Sequence, residues 1–186
     1  MSRKNDKRER LIDAADELIY QKTFNITTLA DIAAKADVPL GNVYYYFKTK
    51  DEILKAVVQK RESELLSLFD AWDQLPDAKD RLRSFIAQSS QGSDIIARFG
   101  CSLGSLCLEL GKHGGDIAQF SSNLMRKTLQ WVEKQFKSLG KADKSSSLAE
   151  QLIISLQGIS LLTITFKDPD FFQRQIKNLE RWLETA

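Results

Sequence analysis

The side chains best suited to binding chemistry lie in residues 38–47, VPLGNVYYYF, and in two lysines just after them, Lys48 and Lys50. Three of the four tyrosines of the chain are consecutive within this stretch. Tyrosine hydroxyls and lysine ammonium groups donate hydrogen bonds to phosphate oxygens, and an amide such as that of Asn42 can also pair with a base edge. These residue types indicate contact with a nucleic acid.

The angular positions of these residues on a helix separate the inward from the outward ones. Successive residues lie about 100° apart around the axis, so three neighbouring rings cannot share one face. Val43 and Phe47 are four residues apart and predict the buried face, with Tyr44 flanking it. The positions predicted to contact DNA are Leu40, Gly41, Asn42, Tyr45 and Tyr46. The alternative interpretation is that all three tyrosine rings fill a core.

Each of these predicted contacts has its own physical basis. Gly41 lets the backbone approach DNA closely, and Leu40 can touch a thymine methyl group. Tyr45 and Tyr46 are suited to phosphate oxygens, and such contacts position a helix without reading sequence. The stretch therefore predicts orientation on DNA more than choice of sequence.

The elements that must position these side chains begin with two helices. Apolar residues at helical spacing within 11–19 predict a first helix over about 5–21. Thr28, with Asp31 in the following turn, predicts the capped start of a second helix over about 28–35.

A tight turn and a third helix follow. Asp37 suits the turn because its short side chain tolerates left-handed backbone angles. Pro39 suits the first position of a helix over about 39–46, where a missing N–H costs nothing. Two short helices joined in this way are typical of a helix-turn-helix.

Residues 27–54, TTLADIAAKADVPLGNVYYYFKTKDEIL, resemble the DNA-binding domain of TetR-family transcriptional regulators. That family combines an apolar first helix, a Thr or Ser opening the second, Ile-Ala, a turn with Val, and a Gly-x-Val-Tyr-x-Tyr-Phe recognition helix followed by a lysine. The resemblance covers about residues 5–65. The DNA-contacting residues that it and the pattern together imply are Thr28, Pro39, Leu40, Gly41, Asn42, Tyr45, Tyr46, Lys48 and Lys50.

Three positions depart from the family pattern. Thr23 and Asp37 stand where the family often has glycine, and Pro39 stands where it has Ser or Thr. A side chain in place of glycine costs up to about 1 kcal/mol where φ is positive. Loss of the Ser or Thr removes one phosphate or capping contact.

The resemblance implies a homodimer that binds a palindromic DNA operator as a repressor and is released by a small apolar inducer. The scarcity of prolines and of alternating β-branched runs predicts an all-α chain. We expect a helix-turn-helix DNA-binding domain at 1–65, with the motif itself at about 28–47. A helical ligand-binding and dimerisation domain is expected at 66–186.

The predicted penultimate helix, ending near Phe166, is apolar almost all round, and the last helix runs over about 168–183. A helix that is apolar all round is buried on more than one side, which favours a partner subunit or, alternatively, the centre of a monomer core. The predicted dimer-interface residues are Leu152, Leu156, Ile159, Leu162, Phe172, Ile176 and Leu179.

An apolar pocket with a few polar groups is the usual composition of a ligand site. The candidates are Phe69, Trp72, Phe85, Phe99, Cys101, Phe120, Leu124, Trp131 and Gln157, each of which can alternatively be plain core. Cys101 and Cys107 raise a second possibility, a thiol-based sensor of electrophiles or oxidants. Six residues on a helix turn them away from each other, which disfavours an intrachain disulfide.

Composition restricts the remaining classes of function. The net charge is only +2, but residues 1–10 carry five basic and two acidic side chains, which suits either a solvated tail or an arm beside phosphates. Two cysteines and the lack of an apolar N-terminal stretch predict a cytoplasmic protein, and no apolar run reaches the length of a membrane span. One histidine, His113, and no phosphate-binding glycine loop predict a non-enzyme without metal or cofactor. A helical protein-binding adaptor is the further alternative.

Overall fold

In a computed structural model, the backbone is described for residues 3–186 and the side chains for 6–112 and 114–186. Two basic residues of the N-terminal excess, Arg3 and Lys4, and His113 therefore have side chains outside the described set.

The described part of the chain is all-α, as predicted. Its helices are α1 (Arg3–Lys22), α2 (Leu29–Lys35), α3 (Leu40–Tyr46), α4 (Lys50–Asp73), α5 (Ala78–Ser89), α6 (Ser93–Phe99), α7 (Ser102–His113), α8 (Gly115–Ser138), α9 (Ser145–Phe166) and α10 (Pro169–Thr185), with a 3-10 turn at Ala142–Lys144 before α9.

Two glycines bound the short helix α6. Gly92 precedes it at φ +78° and Gly100 follows it at φ +77°. Glycine adopts such left-handed angles at little cost, so the chain can change direction at both ends of this helix.

The chain forms two compact units, which differ from the contiguous domains predicted. The first contains residues up to Leu65 and also Ser105–Ser122, whereas the second contains Leu66–Gly104 and Asn123–Ala186. In the first unit, apolar side chains of α1 to α4 share a core with Leu106 and Leu110 of α7. Much of α7 therefore completes the hydrophobic core of the helix-turn-helix unit.

The second unit packs α9 against α6 and α10, and α10 also against α5. α10 begins at Pro169, with Asp168 capping it through a 2.9 Å hydrogen bond from the N–H of Phe171. Pro at the first turn and an acidic cap are both favourable at a helix start.

Most of the predicted dimer-interface residues of α9 and α10 are buried inside the single chain. Five of the seven predicted residues have at most 6% of their surface exposed in the single chain, and they are Leu152, Leu156, Phe172, Ile176 and Leu179. Side chains already buried in their own subunit have no surface left for a partner. Of the seven, only Ile159 and Leu162 keep substantial exposure.

The outward face of α9 is apolar and remains exposed in the single chain. Ile154, Leu161 and Phe166 are 69%, 62% and 58% exposed. The stretch Ala142–Phe166 is long and apolar enough to cross a membrane by length and composition alone, with 28% of its 18-residue apolar window buried. This finding corrects the expectation that no stretch reaches that length. Core helices of soluble proteins satisfy the same criterion.

Candidate nucleic-acid interface

The start of α2 is fixed by a reciprocal cap. The Thr28 hydroxyl accepts a 3.1 Å hydrogen bond from the N–H of Asp31, and the Asp31 carboxylate accepts from the Thr28 N–H at 2.9 Å. The Thr28 hydroxyl also donates to that carboxylate at 2.7 Å. These bonds, first from the hydroxyl and then from the backbone N–H, lower the pKa of Asp31. The cap satisfies two backbone donors that would otherwise lack partners.

The turn between α2 and α3 is held by an arginine from α1. Asp37 has φ +51°, as a tight turn requires. The Arg10 guanidinium donates to the carbonyl oxygens of Ala36 and Asp37, the latter at 2.7 Å, and to the Asp37 carboxylate at 3.4 Å. Sequence reasoning missed this role because 26 residues separate Arg10 from Ala36.

The recognition helix α3 is anchored by the two residues predicted to face inward. Val43 and Phe47 are 0% and 3% exposed, and the Arg8 guanidinium lies 5.3 Å from the centre of the Phe47 ring. Pro39 occupies the N-cap without a side-chain hydrogen bond, so the helix begins at Leu40, one residue later than predicted. Five predicted contact residues lie exposed on α3 or at its start, and they are Pro39, Leu40, Gly41, Asn42 and Tyr45.

The three tyrosines divide differently from the prediction. Tyr44 and Tyr45 are 48% and 61% exposed. Tyr46 is half-buried against the core of the first unit, and its ring meets that of Tyr45 edge-on at 5.1 Å. Tyr46, not Tyr44, therefore flanks the buried face, because it lies three residues from Val43 on the same side of the helix.

The two lysines after α3 have different environments. Lys48 is exposed, and its ammonium group donates to the carbonyl of Tyr44 at 2.7 Å. Lys50 is half-buried, and its ammonium group donates to the carbonyls of Phe24, Asn25 and Thr27 at 2.6, 3.1 and 2.9 Å. In this structure the Lys50 ammonium group therefore binds the α1–α2 loop, residues 23–28, and not the surface where the phosphate contact was predicted.

The same loop contains a strained residue and a partner from α7. Thr23 has φ +81°, so the family's glycine is replaced at a position that disfavours a β-branched side chain. Glu109 accepts hydrogen bonds from the N–H groups of Phe24 and Asn25, each at 2.9 Å. No local pattern in the sequence marks Glu109, which lies more than 80 residues from the loop.

The predicted ligand residues do not form one group. Four of them pack as an aromatic cluster in the second unit: Phe69, Trp72, Phe85 and Trp131. The rings of Phe69 and Trp131 stack at 4.6 Å, and the Trp131 indole N–H donates to Asp73 at 3.1 Å. Phe120 belongs to the first unit and is 40% exposed. The remaining candidates in the second unit are buried Leu124 and half-buried Phe99, Cys101 and Gln157.

Cys101 and Gln157 are neighbours at the start of α7. The sulfur of Cys101 accepts hydrogen bonds from the N–H of Gly104 at 3.4 Å and from the Gln157 amide at 3.6 Å. A Cβ on Gly104 would collide with the Gln157 amide oxygen, so a larger residue at this position would require the Gln157 side chain to move. Cys107 instead donates to the carbonyl of Ser121 at 3.2 Å, and neither cysteine forms a disulfide.

A capped α2, a braced turn and an exposed polar face on α3 define a helix-turn-helix protein. Residues 11–57 match the family model of bacterial regulatory proteins of the tetR family. The regulator TtgW of Pseudomonas putida is 36% identical over 97 residues, which cover 48% of this chain and 71% of that protein. The HTH-type transcriptional repressor DhaR of a Mycobacterium species is 26% identical over 167 residues, which cover 83% and 80% of the two chains.

A solved structure agrees over almost the whole chain. A TetR transcriptional regulator from Legionella pneumophila superimposes with a TM-score of 0.84 at 18% identity, covering 97% of both chains. At that identity the likeness establishes the fold. With the family match and the relatives, the chain belongs to the TetR family and is a DNA-binding transcriptional regulator of the helix-turn-helix class.

Proposed function

We propose that this regulator is a cytoplasmic, homodimeric repressor that binds a palindromic operator through α3 and is released by a small apolar inducer. The observation that carries DNA contact is the exposed surface of α3, where Leu40, Gly41, Asn42, Tyr44 and Tyr45 are exposed while Val43 is buried. Residues at the start of a recognition helix reach base edges, and tyrosines near its end suit phosphates. We include Thr28 and Lys48 among the phosphate contacts.

Dimerisation is supported by the outward face of α9. Ile154, Leu161, Leu162 and Phe166 are exposed apolar residues spaced along one side of this helix, and a Cβ on Gly158 among them would meet no atom within 4 Å. Exposed apolar stripes of this kind mark protein interfaces, and glycine permits close helix approach. We therefore move the proposed interface from the inward to the outward face of α9.

A two-fold symmetric dimer presents two identical recognition helices, and these fit two half-sites related by the same symmetry. A homodimer is therefore expected to bind a palindromic operator. The relative DhaR is named a repressor. The test is a mobility-shift assay with the intergenic DNA upstream of the gene for this chain, at several salt concentrations. We expect salt-dependent binding to an inverted repeat, and loss of repression of a reporter when the repeat is scrambled. Equal binding to scrambled DNA would contradict the proposal.

For the inducer, the aromatic cluster of Phe69, Trp72, Phe85 and Trp131 supplies apolar surface in the second unit. An apolar compound that releases the operator should also change tryptophan fluorescence, since two of the three tryptophans lie in this cluster. Release without a fluorescence change in the wild type would locate the inducer elsewhere.

Thiol sensing is a second candidate, favoured by the position of Cys101. Its sulfur lies at the start of α7 and accepts hydrogen bonds from the N–H of Gly104 and from the Gln157 amide, so these groups surround the atom that an electrophile would modify. N-ethylmaleimide should then abolish operator binding by the wild type and by Cys107→Ser, but not by Cys101→Ser. Equal inhibition of Cys101→Ser would exclude this candidate.

A further inference from the structure

Two side chains of opposite charge hold the α1–α2 loop, residues 23–28. A carboxylate binds its N–H groups, and an ammonium group binds its carbonyl oxygens. The carboxylate of Glu109 accepts from the N–H groups of Phe24 and Asn25, each at 2.9 Å. The ammonium group of Lys50 binds three carbonyls of the same loop at 2.6–3.1 Å and lies 4.2 Å from the centre of the Phe24 ring. Successive N–H groups of this kind form a natural anion site, which a side chain of this protein fills.

Packing fixes the position of Glu109 independently of these hydrogen bonds. Leu106 and Leu110, three residues before it and one after it, are 2% and 0% exposed in the core of the first unit. The carboxylate is therefore carried on a helix that cannot slide without opening that core. The loop it holds ends at Thr28, the cap of α2.

We propose that Glu109 is a positioning residue for DNA binding, which fixes the α1–α2 loop so that α2 and the turn after it hold α3 in its DNA-binding orientation. Charge alone predicts the opposite effect, because a carboxylate in a DNA-binding unit repels phosphates. The two views predict opposite changes in DNA affinity when the Glu109 carboxylate is removed. If Glu109 positions the loop, its removal weakens DNA binding, whereas a purely electrostatic role means that its removal strengthens binding.

The experiment compares the full chain with Glu109→Gln and Glu9→Gln. Both variants lose one negative charge, but Glu9 is an exposed residue of α1 and lies outside the loop contacts. Dissociation constants are measured by fluorescence anisotropy on the DNA fragment that the wild type shifts, with amide hydrogen exchange at Phe24 and Asn25. For Glu109→Gln we expect DNA binding to be weaker by roughly fivefold to tenfold. The amide keeps one oxygen for a loop N–H, but its NH2 group faces the other loop N–H and repels it.

Four further results are expected. The two loop amides should exchange faster in Glu109→Gln, and the slope of log affinity against log salt should stay unchanged because no phosphate contact is lost. Glu9→Gln should bind as tightly as the wild type or more tightly. Glu109→Asp keeps the charge but has a shorter side chain, so it should also weaken DNA binding. It provides the same test if Glu109→Gln fails to fold.

Glu109→Gln binding as tightly as Glu9→Gln would overturn the inference while leaving the regulator function intact. The inference assumes DNA binding but does not depend on repression, dimerisation or an inducer. Failure of the wild type to bind any upstream fragment would instead overturn the DNA-binding function, and this inference with it.

Discussion

At the scale of single residues, the same residue type serves different purposes only a few positions apart. Tyr45 is 61% exposed, whereas Tyr46 is half-buried and packs on the core that contains Val43. Lys48 is exposed, whereas Lys50 is drawn inward by three carbonyls. Position in the fold, and not residue type, decides whether a side chain is exposed for contact or supports the structure.

The tyrosines give a prediction about stability and binding. Tyr46→Ala should lower the free energy of unfolding by about 1–3 kcal/mol, because it removes a ring packed on the core. Tyr45→Ala should change stability little and weaken DNA binding. Urea denaturation with an anisotropy titration separates the two effects. A larger loss of stability in Tyr45→Ala than in Tyr46→Ala would contradict the assigned faces.

Lys50 gives a prediction about salt dependence. Lys50→Met should weaken DNA binding through the loop but leave the slope of log affinity against log salt unchanged. If Lys50 contacts a phosphate instead, the slope should fall by about 0.9. Lys48→Met is the matched control, since an exposed phosphate contact should reduce the slope. Affinity measured at four or more salt concentrations distinguishes the two.

At the scale of elements, α2 is too short to be stable alone and depends on its cap and its packing. It contains seven residues, with Ile32 and Ala33 buried. Isolated helices of this length are marginal in water, so the Thr28–Asp31 cap and tertiary contacts must stabilise it. α3, also of seven residues, lacks a side-chain cap at Pro39 and relies on Val43 and Phe47 for its anchorage.

The cap of α2 predicts a dependence on pH. The pKa of Asp31 is lowered by its bonds to Thr28, so the native state favours the carboxylate. The stabilisation is therefore present at pH values above the unfolded pKa of about 3.9 and is lost as pH falls through the lower folded pKa. Thr28→Ala should cost about 1 kcal/mol at neutral pH and raise the pKa of Asp31 in an NMR titration. An unchanged pKa would show that the cap does not hold Asp31.

At the scale of the whole molecule, the proposed interface on α9 gives a prediction about assembly. Ile154→Glu should shift sedimentation towards a monomer and weaken operator binding, because it introduces a charge into the apolar stripe. Ile95→Glu is the matched control, since Ile95 is a 50% exposed isoleucine on α6. A dimer unchanged by Ile154→Glu, or a monomeric wild type, would contradict the proposed interface.

The sequence alone was sufficient for the all-α class, the three helices of the helix-turn-helix and the inward direction of Val43 and Phe47. Helical periodicity, caps and turn residues act over three or four positions, so a local pattern specifies them. The positive φ angle at Asp37 likewise agrees with the tight turn that a local pattern predicted.

The tertiary structure decided which way Tyr44, Tyr46 and Lys50 turn, and which face of α9 is left uncovered. Each outcome depends on groups far away in sequence, such as the loop carbonyls that attract Lys50 and the helices that cover one side of α9. Glu109 is the clearest case, because its two bonds join residues more than 80 positions apart. Local patterns carry no information about contacts of that range, since folding alone brings those groups together.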